Sequence, residues 1–358
     1  NQARMLGYKN YIQMGYDRLG RNCYGPEKVA DFREQIKKYV VPAVSKLRQA
    51  QKVRLEIDNI HLYDNAVIFK EGDVSPKGSA DELLAAAIEM YRQMSGETAE
   101  FINFMSENEL YDLLSKDGKA PGGYCTEFSA FKAPFIFSNF NGTSGDVDVL
   151  THEAGHAFAY FTAARQGIIP DYISPTIEAC EVHSMSMEFL TAPWHKAFFG
   201  EDTERYQYFH TTDALNFIPY GCMVDEFQHI MYEREDLTPD ERNEVWLELE
   251  REYRPHLNLE DLPFYSRGAG WQHQLHIYLY PLYYIDYCMA QAVAFQFFAL
   301  SLSDWQAAFN KYLAFVKGAG TKTFEELVRS ADLKLPYEEG VLGDVANTIT
   351  THLENFKM

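Results

Sequence analysis

The chain has 358 residues, 46% hydrophobic and 23% charged, a globular composition large enough for one extended core or two fused ones. Its net charge of −20 repels phosphate backbones, so nucleic acid is not expected as a partner. No apolar run reaches the roughly 18 residues that span a bilayer and no basic-then-apolar leader opens the chain, so no membrane partner is expected either.

The first residue is Asn1, and the sequence opens directly into the amphipathic, aromatic-rich stretch NQARMLGYKNYIQMGYDRLGRNCYG. An apolar helix face at a terminus needs burying. The chain is therefore expected to be a piece of a longer polypeptide, whose N-terminal portion would be a partner for it. Residues 26–51 carry apolar positions at three- and four-residue spacing, a helix with a kink expected at Pro42. Ser79 with Glu82, and Thr238-Pro239 with Glu241, are capping-box helix starts. Residues 115–146 break the helical pattern with glycine, proline and aromatics. The APFIFSNF run within them suits a strand of a small sheet lying before the helix that follows. Further helices are predicted over roughly 145–166, 175–200, 203–234, 281–300, 304–317 and 340–356, with a second glycine-rich break at 265–274. No internal repeat or linker marks a sharp domain boundary. The five cysteines are scattered, odd in number and without a Cys-x-x-Cys pair, which predicts reduced thiols in a cytoplasmic protein.

The stretch DVLTHEAGHAFAYF, residues 148–161, carries the chemistry. On a helix His152 and His156 share a face and can hold one ion, while Glu153 lies about 100° round, able to reach a water there. Neutral imidazoles on Zn²⁺ with one open position, and a glutamate to take the water's proton, are what a zinc peptidase needs. A third ligand is required, and no histidine follows at the longer metzincin spacing. The segment SPTIEACEVHSMSMEFL offers Glu178, Glu181 and Glu188. Spacing leaves Glu178 and Glu181 tied, while Glu188 suits the acid that orients a ligand histidine. Downstream, Pro281 suits a helix start, and Tyr280, Tyr284, Tyr287 and Gln291 then form one stripe. Such a stripe reads either as core or, with His276 just before it, as donors aimed at an oxyanion.

The order His-Glu-x-Gly-His, a glutamate about 25 residues on, and a His-and-Tyr segment resembles the oligoendopeptidase F and thimet oligopeptidase family of zinc metallopeptidases, most closely the bacterial oligoendopeptidase F branch. ARMLGYKNY, PYGCMVDEFQHIMYE and PLYYIDYCMAQ share that branch's character. The resemblance implies one Zn²⁺ per chain held by His152, His156 and Glu181, resolving the tie because Glu188 follows Glu181 by seven residues. It implies Glu153 as general base, and His276 with Tyr284 and Tyr287 as transition-state stabilisers, preferred to Tyr283. The implied fold is mainly α, a multi-helix zincin-type peptidase with a small β-sheet beside the active-site helix and a deep channel for short peptides. Residues 1–358 would be the catalytic portion, with about 115–300 as the active-site core and 1–114 and 301–358 as helical channel walls. The APFIFSNF strand would form a channel edge that pairs with the substrate backbone. Family members carry an additional N-terminal helical region.

Two rivals differ in class. Glu153-x-x-His156 and Glu226-x-x-His229 are paired Glu-x-x-His elements of the kind that build a di-iron helical protein, a reading that leaves His152 and His276 without roles. A helical scaffold that binds peptides without cleaving them is the other. The function expected is zinc-dependent cleavage of internal bonds in short peptides. Cys180, beside Glu181, would make the site sensitive to oxidation.

Overall fold

The computed structural model describes residues 1–357. It is mainly helical, and its chain divides into two compact units: residues 1–72, 210–292 and 334–357 form the first, and 73–209 with 293–333 the second. No helix among the described residues is long and apolar enough to cross a membrane.

In the first unit, the helix Pro26–Gln35 passes through a π-helical turn, Ile36–Val40, before resuming as Val41–Leu55. The irregularity expected at Pro42 is thus absorbed one turn earlier, so proline enters near a helix start where its missing N–H costs nothing. Pro239–Tyr253 begins at the predicted box, with Thr238 and Glu241 exchanging main-chain N–H bonds of 2.8 and 3.3 Å. Two buried ion pairs tie this unit's distant segments. Arg21 donates to Asp286 at 2.7 Å, both side chains fully enclosed. Arg33 donates to Asp225 at 2.5 Å, and His229 stands 3.3 Å from the same carboxylate.

The second unit is built on the helix Gly145–Arg165, which carries the His-Glu-x-x-His motif. Val147, Leu150, Ala154, Ala157, Phe158 and Phe161 are all buried, so the helix is apolar on most sides and packs as a central element. Phe101 meets Phe158 and Phe161 edge-on, each at 5.6 Å between centroids. The helix start is pinned by Asp146, whose carboxylate accepts the N–H groups of Asn141 and Gly142 at 2.9 and 2.7 Å.

Before that helix lies the predicted sheet, three strands in the order Tyr111–Leu114, Ala133–Phe140, Tyr124–Phe128. APFIFSNF occupies Ala133–Phe140, with alternate residues buried. It is the central strand, parallel to one neighbour and antiparallel to the other. The expectation that it forms an edge free to pair with substrate is therefore corrected: its main-chain groups are taken on both sides, and the edges are Tyr111–Leu114 and Tyr124–Phe128.

The tyrosine segment needs a second correction. The helix predicted from Pro281 begins at Ile285, because Leu282 adopts a left-handed φ of 66° that no continuing helix accommodates. Tyr280 is off the helix and 62% exposed, so the four-residue stripe does not exist as one face.

Candidate active site

Gly155 explains how the second unit assembles its polar cluster. The helix Ile177–Leu190 crosses the motif helix so closely that a Cβ at Gly155 would lie 2.6 Å from both the His183 carbonyl oxygen and the Ser184 Cα. Only glycine admits that approach, and it carries the acidic residues of Ile177–Leu190 to the histidines.

His152, His156 and Glu181 each present one ligand atom, all within 4.8 Å of one another. The Glu181 Oε2 lies 3.4 Å from His152 Nε2 and 3.6 Å from His156 Nε2. Nitrogen and oxygen ligands about 2.05 Å from a tetrahedral zinc stand about 3.3 Å apart, so the spacing fits that ion. Two nitrogens and one carboxylate are also the donor set of a catalytic zinc with an open position. Glu188 lies across the ring, its Oε1 2.7 Å from His152 Nδ1. His152 donates that bond through its Nδ1–H, which orients the ring with Nε2 toward Glu181. The candidate tie between acids is separated in space: Glu178 is fully buried and accepts from the Thr176 hydroxyl at 2.8 Å, outside the trio.

Electrostatics divide the two histidines. Burial pushes the His156 imidazolium down to about 4, keeping the ring neutral and fit to ligate. Burial acts likewise on His152, but the Glu181 and Glu188 carboxylates outweigh it and hold its pKa well above the ordinary value. Glu153 is 7% exposed. Burial lifts its carboxyl to about 7, opposed by His152 and by the main-chain bond from Cys125. A carboxyl poised there is suited to exchange a proton. Burial pushes the Cys180 thiol up, away from the reactive thiolate.

His276, Tyr284 and Tyr287 belong to the first unit. His276 opens a single helical turn, His276–Leu279. The Tyr220 hydroxyl donates to Gln274 Oε1 at 2.7 Å, which turns the Gln274 amide nitrogen toward His276 Nδ1 at 2.8 Å. The ring thus keeps its proton on Nε2, and burial lowers its pKa, making it a neutral donor. The Tyr283 hydroxyl donates to that of Tyr287 at 2.8 Å, whereas Tyr284 packs edge-on against Phe217 and Tyr220. Tyr220 and Gln274 escaped the sequence reading, since nothing in their spacing distinguishes them. Gly155 stood inside the quoted motif.

Glu226 and His229 are accounted for otherwise. Glu226 pairs with Lys37 at 3.0 Å and accepts the Tyr253 hydroxyl at 2.5 Å, and His229 is held by Tyr16, Arg33 and Asp225.

A model of peptidase family M3 matches residues 1–345. The chain is similar to PZ peptidase A, solved with an inhibitor, at 49% identity and a TM-score of 0.95 over 99% of this chain and 63% of that one. It is also similar to an oligoendopeptidase F from Bacillus anthracis str. Ames at 44% identity and a TM-score of 0.89, covering 99% of this chain and 61% of that one. An oligoendopeptidase F homolog of Borreliella burgdorferi is 22% identical over 293 residues, 79% of this chain and 48% of that protein. The chain thus spans less than two thirds of each of these relatives.

Proposed function

Because the chain belongs to peptidase family M3, we propose that it is the catalytic portion of a zinc-dependent endopeptidase acting on internal bonds of short peptides. The observation that carries this is the convergence of His152, His156 and Glu181 within 4.8 Å, with Glu153 one residue from a ligand. Those three residues would hold the ion, and Glu188 would keep His152 turned toward it. When bound, Zn²⁺ supplies a Lewis acid that polarises the scissile carbonyl and acidifies water. Glu153 accepts the attacking water's proton and returns it to the leaving amine. Beside a bound cation the Glu153 carboxyl would return toward its ionised form, the state in which it accepts a proton.

The oxyanion donors are proposed to be His276, Tyr284 and Tyr287, on the resemblance; the hydroxyl bond from Tyr283 to Tyr287 makes Tyr283 a further candidate. The backbone of the peptide would add to the free edge of Tyr124–Phe128, whose Cys125 main chain already bonds Glu153.

Replacing Glu153 by glutamine tests the reading. The variant is expected to bind zinc as the parent does and to lose turnover of a quenched peptide by a factor of at least ~10². Unchanged turnover contradicts the assignment. Peptide binding without turnover by the zinc-loaded parent would favour the non-catalytic alternative.

A further inference from the structure

The first unit holds a cavity of about 390 Å³, within the range of small-ligand sites. Its wall contains buried polar side chains that the fold leaves unsatisfied. Arg48 is 3% exposed, and its Nη1 donates to the Gln51 side chain and the Asn65 carbonyl, each at 2.7 Å. Its Nε meets no acceptor, and none of the described carboxylates lies within ion-pair distance of it. Asn216 is 9% exposed, and both its Oδ1 and its Nδ2 lack partners, as does Nδ1 of His256.

The charges around the cavity leave Arg48 as the open one. Glu250 lines the same wall but is engaged by Arg254, whose Nε donates to it at 2.9 Å. Asp213 acts on Arg48 from an exposed position. Burial, with Arg48 and Arg254 adding to it, pushes His256 down to about 3, so that ring is neutral. A buried guanidinium without a carboxylate, beside a primary amide with both ends unmet, is costly for a fold to keep. Sites kept at such cost are characteristic of ligand binding.

We propose that this cavity receives the C-terminal end of a peptide, its carboxylate on Arg48 and its last amide group bracketed by Asn216. A guanidinium has donors only, which selects an anionic acceptor, and planar carboxylate is its natural complement. The Asn216 amide offers one acceptor and two donors, the complement of a peptide C=O and N–H. That the carboxylate is carried by a peptide rests on the peptidase reading. Gln274, which lines the same wall, also bonds His276, so the cavity adjoins a group assigned to that chemistry.

The test is isothermal titration calorimetry on the full chain carrying Glu153→Gln, so that no turnover consumes the probe. The probes are N-acetyl-Ala-Ala with a free carboxylate, its C-terminal amide, and acetate. The acid is expected to bind at least about tenfold more tightly than either of the others. Asn216→Leu removes no hydrogen bond within the fold, so its melting temperature should equal or exceed the parent's while affinity for the acid falls about tenfold. A residue serving only the fold would show the reverse. Arg48→Gln should abolish the preference for acid over amide, and Arg48→Lys should restore part of it. If Arg48→Gln does not fold, the acid–amide comparison and Asn216→Leu still decide. Equal affinity for acid and amide, affinity for acetate matching that for the acid, undiminished binding in Asn216→Leu, or no binding overturns the proposal. The peptidase reading fails separately, on absence of zinc-dependent turnover in the parent, whatever calorimetry shows.

Discussion

Gly155→Ala perturbs the site through packing alone. The added Cβ would stand 2.6 Å from the His183 carbonyl oxygen and the Ser184 Cα, where ordinary contact begins at 3.4 Å, so the two helices must part by about 0.8 Å. Neither obstacle is a flexible side chain. Alanine favours the helix by about 1 kcal/mol over glycine, against an overpacking cost of about 1–3 kcal/mol. The net expectation is a loss of about 0–2 kcal/mol in the fold. For the proposed metal trio the same displacement is large. Glu181 rides on the displaced helix, and its 3.4 Å separation from His152 Nε2 would open to about 4 Å, beyond the roughly 0.2 Å tolerance of zinc coordination. Zinc affinity, measured by competition with a chromophoric chelator, should fall at least tenfold, while urea unfolding of the metal-free protein loses no more than about 2 kcal/mol. Gly96→Ala, at a helix start with nothing within 4 Å, is the control. Parent-like zinc affinity in Gly155→Ala would refute the claim that the close helix crossing sets the ligand geometry.

Other consequences are equally open to measurement. Glu188→Gln should weaken zinc binding about 10–100-fold, because it removes the acid that orients His152; parent-like affinity would deny it that role. Single Phe substitutions at Tyr283, Tyr284 and Tyr287 should lower kcat with little change in KM where the hydroxyl meets the oxyanion, and the position showing no kcat effect is removed from the assignment. Asp225→Asn should destabilise the fold by about 3–5 kcal/mol, since it strands Arg33. Burial raises the Asp225 carboxyl, but His229, Arg33 and Arg21 outweigh it and hold the pKa near 2, against 3.8 ordinarily. A carboxylate depressed on folding adds stability above its unfolded pKa. The gap between parent and variant should therefore be full above pH 4 and narrow as pH falls toward 2; a gap constant across that range would contradict the assignment.

Local rules carried far in this sequence where local rules decide structure. Ser79 and Glu82 form their capping box, with the Glu82 carboxylate 2.7 Å from the Ser79 N–H, because both partners lie within one turn. APFIFSNF became a strand of eight residues, Ala133–Phe140, but its place at the centre of the sheet was hidden. Its parallel neighbour Tyr111–Leu114 pairs across a long connection that carries no local signal. Periodicity misled at Tyr280, where the left-handed backbone of Leu282 stops a pattern that counting would continue. The histidine pair was legible from helical geometry, and the choice of Glu181 over Glu178 came from resemblance, since both lie on the same short segment. What separates them is the rotation of one helix against another, which depends on Gly155 meeting the His183 main chain. The cavity with Arg48, Asn216 and His256 was invisible, because its wall is drawn from segments some two hundred residues apart and contains no motif.

The most direct measurement is turnover of an internally quenched peptide of about ten residues by the parent chain and by Glu153→Gln, each stripped of metal and then reloaded with zinc. The account predicts turnover that chelation abolishes and zinc restores in the parent alone, while both proteins bind one zinc. Turnover that survives chelation, or that zinc restores equally in Glu153→Gln, would contradict it.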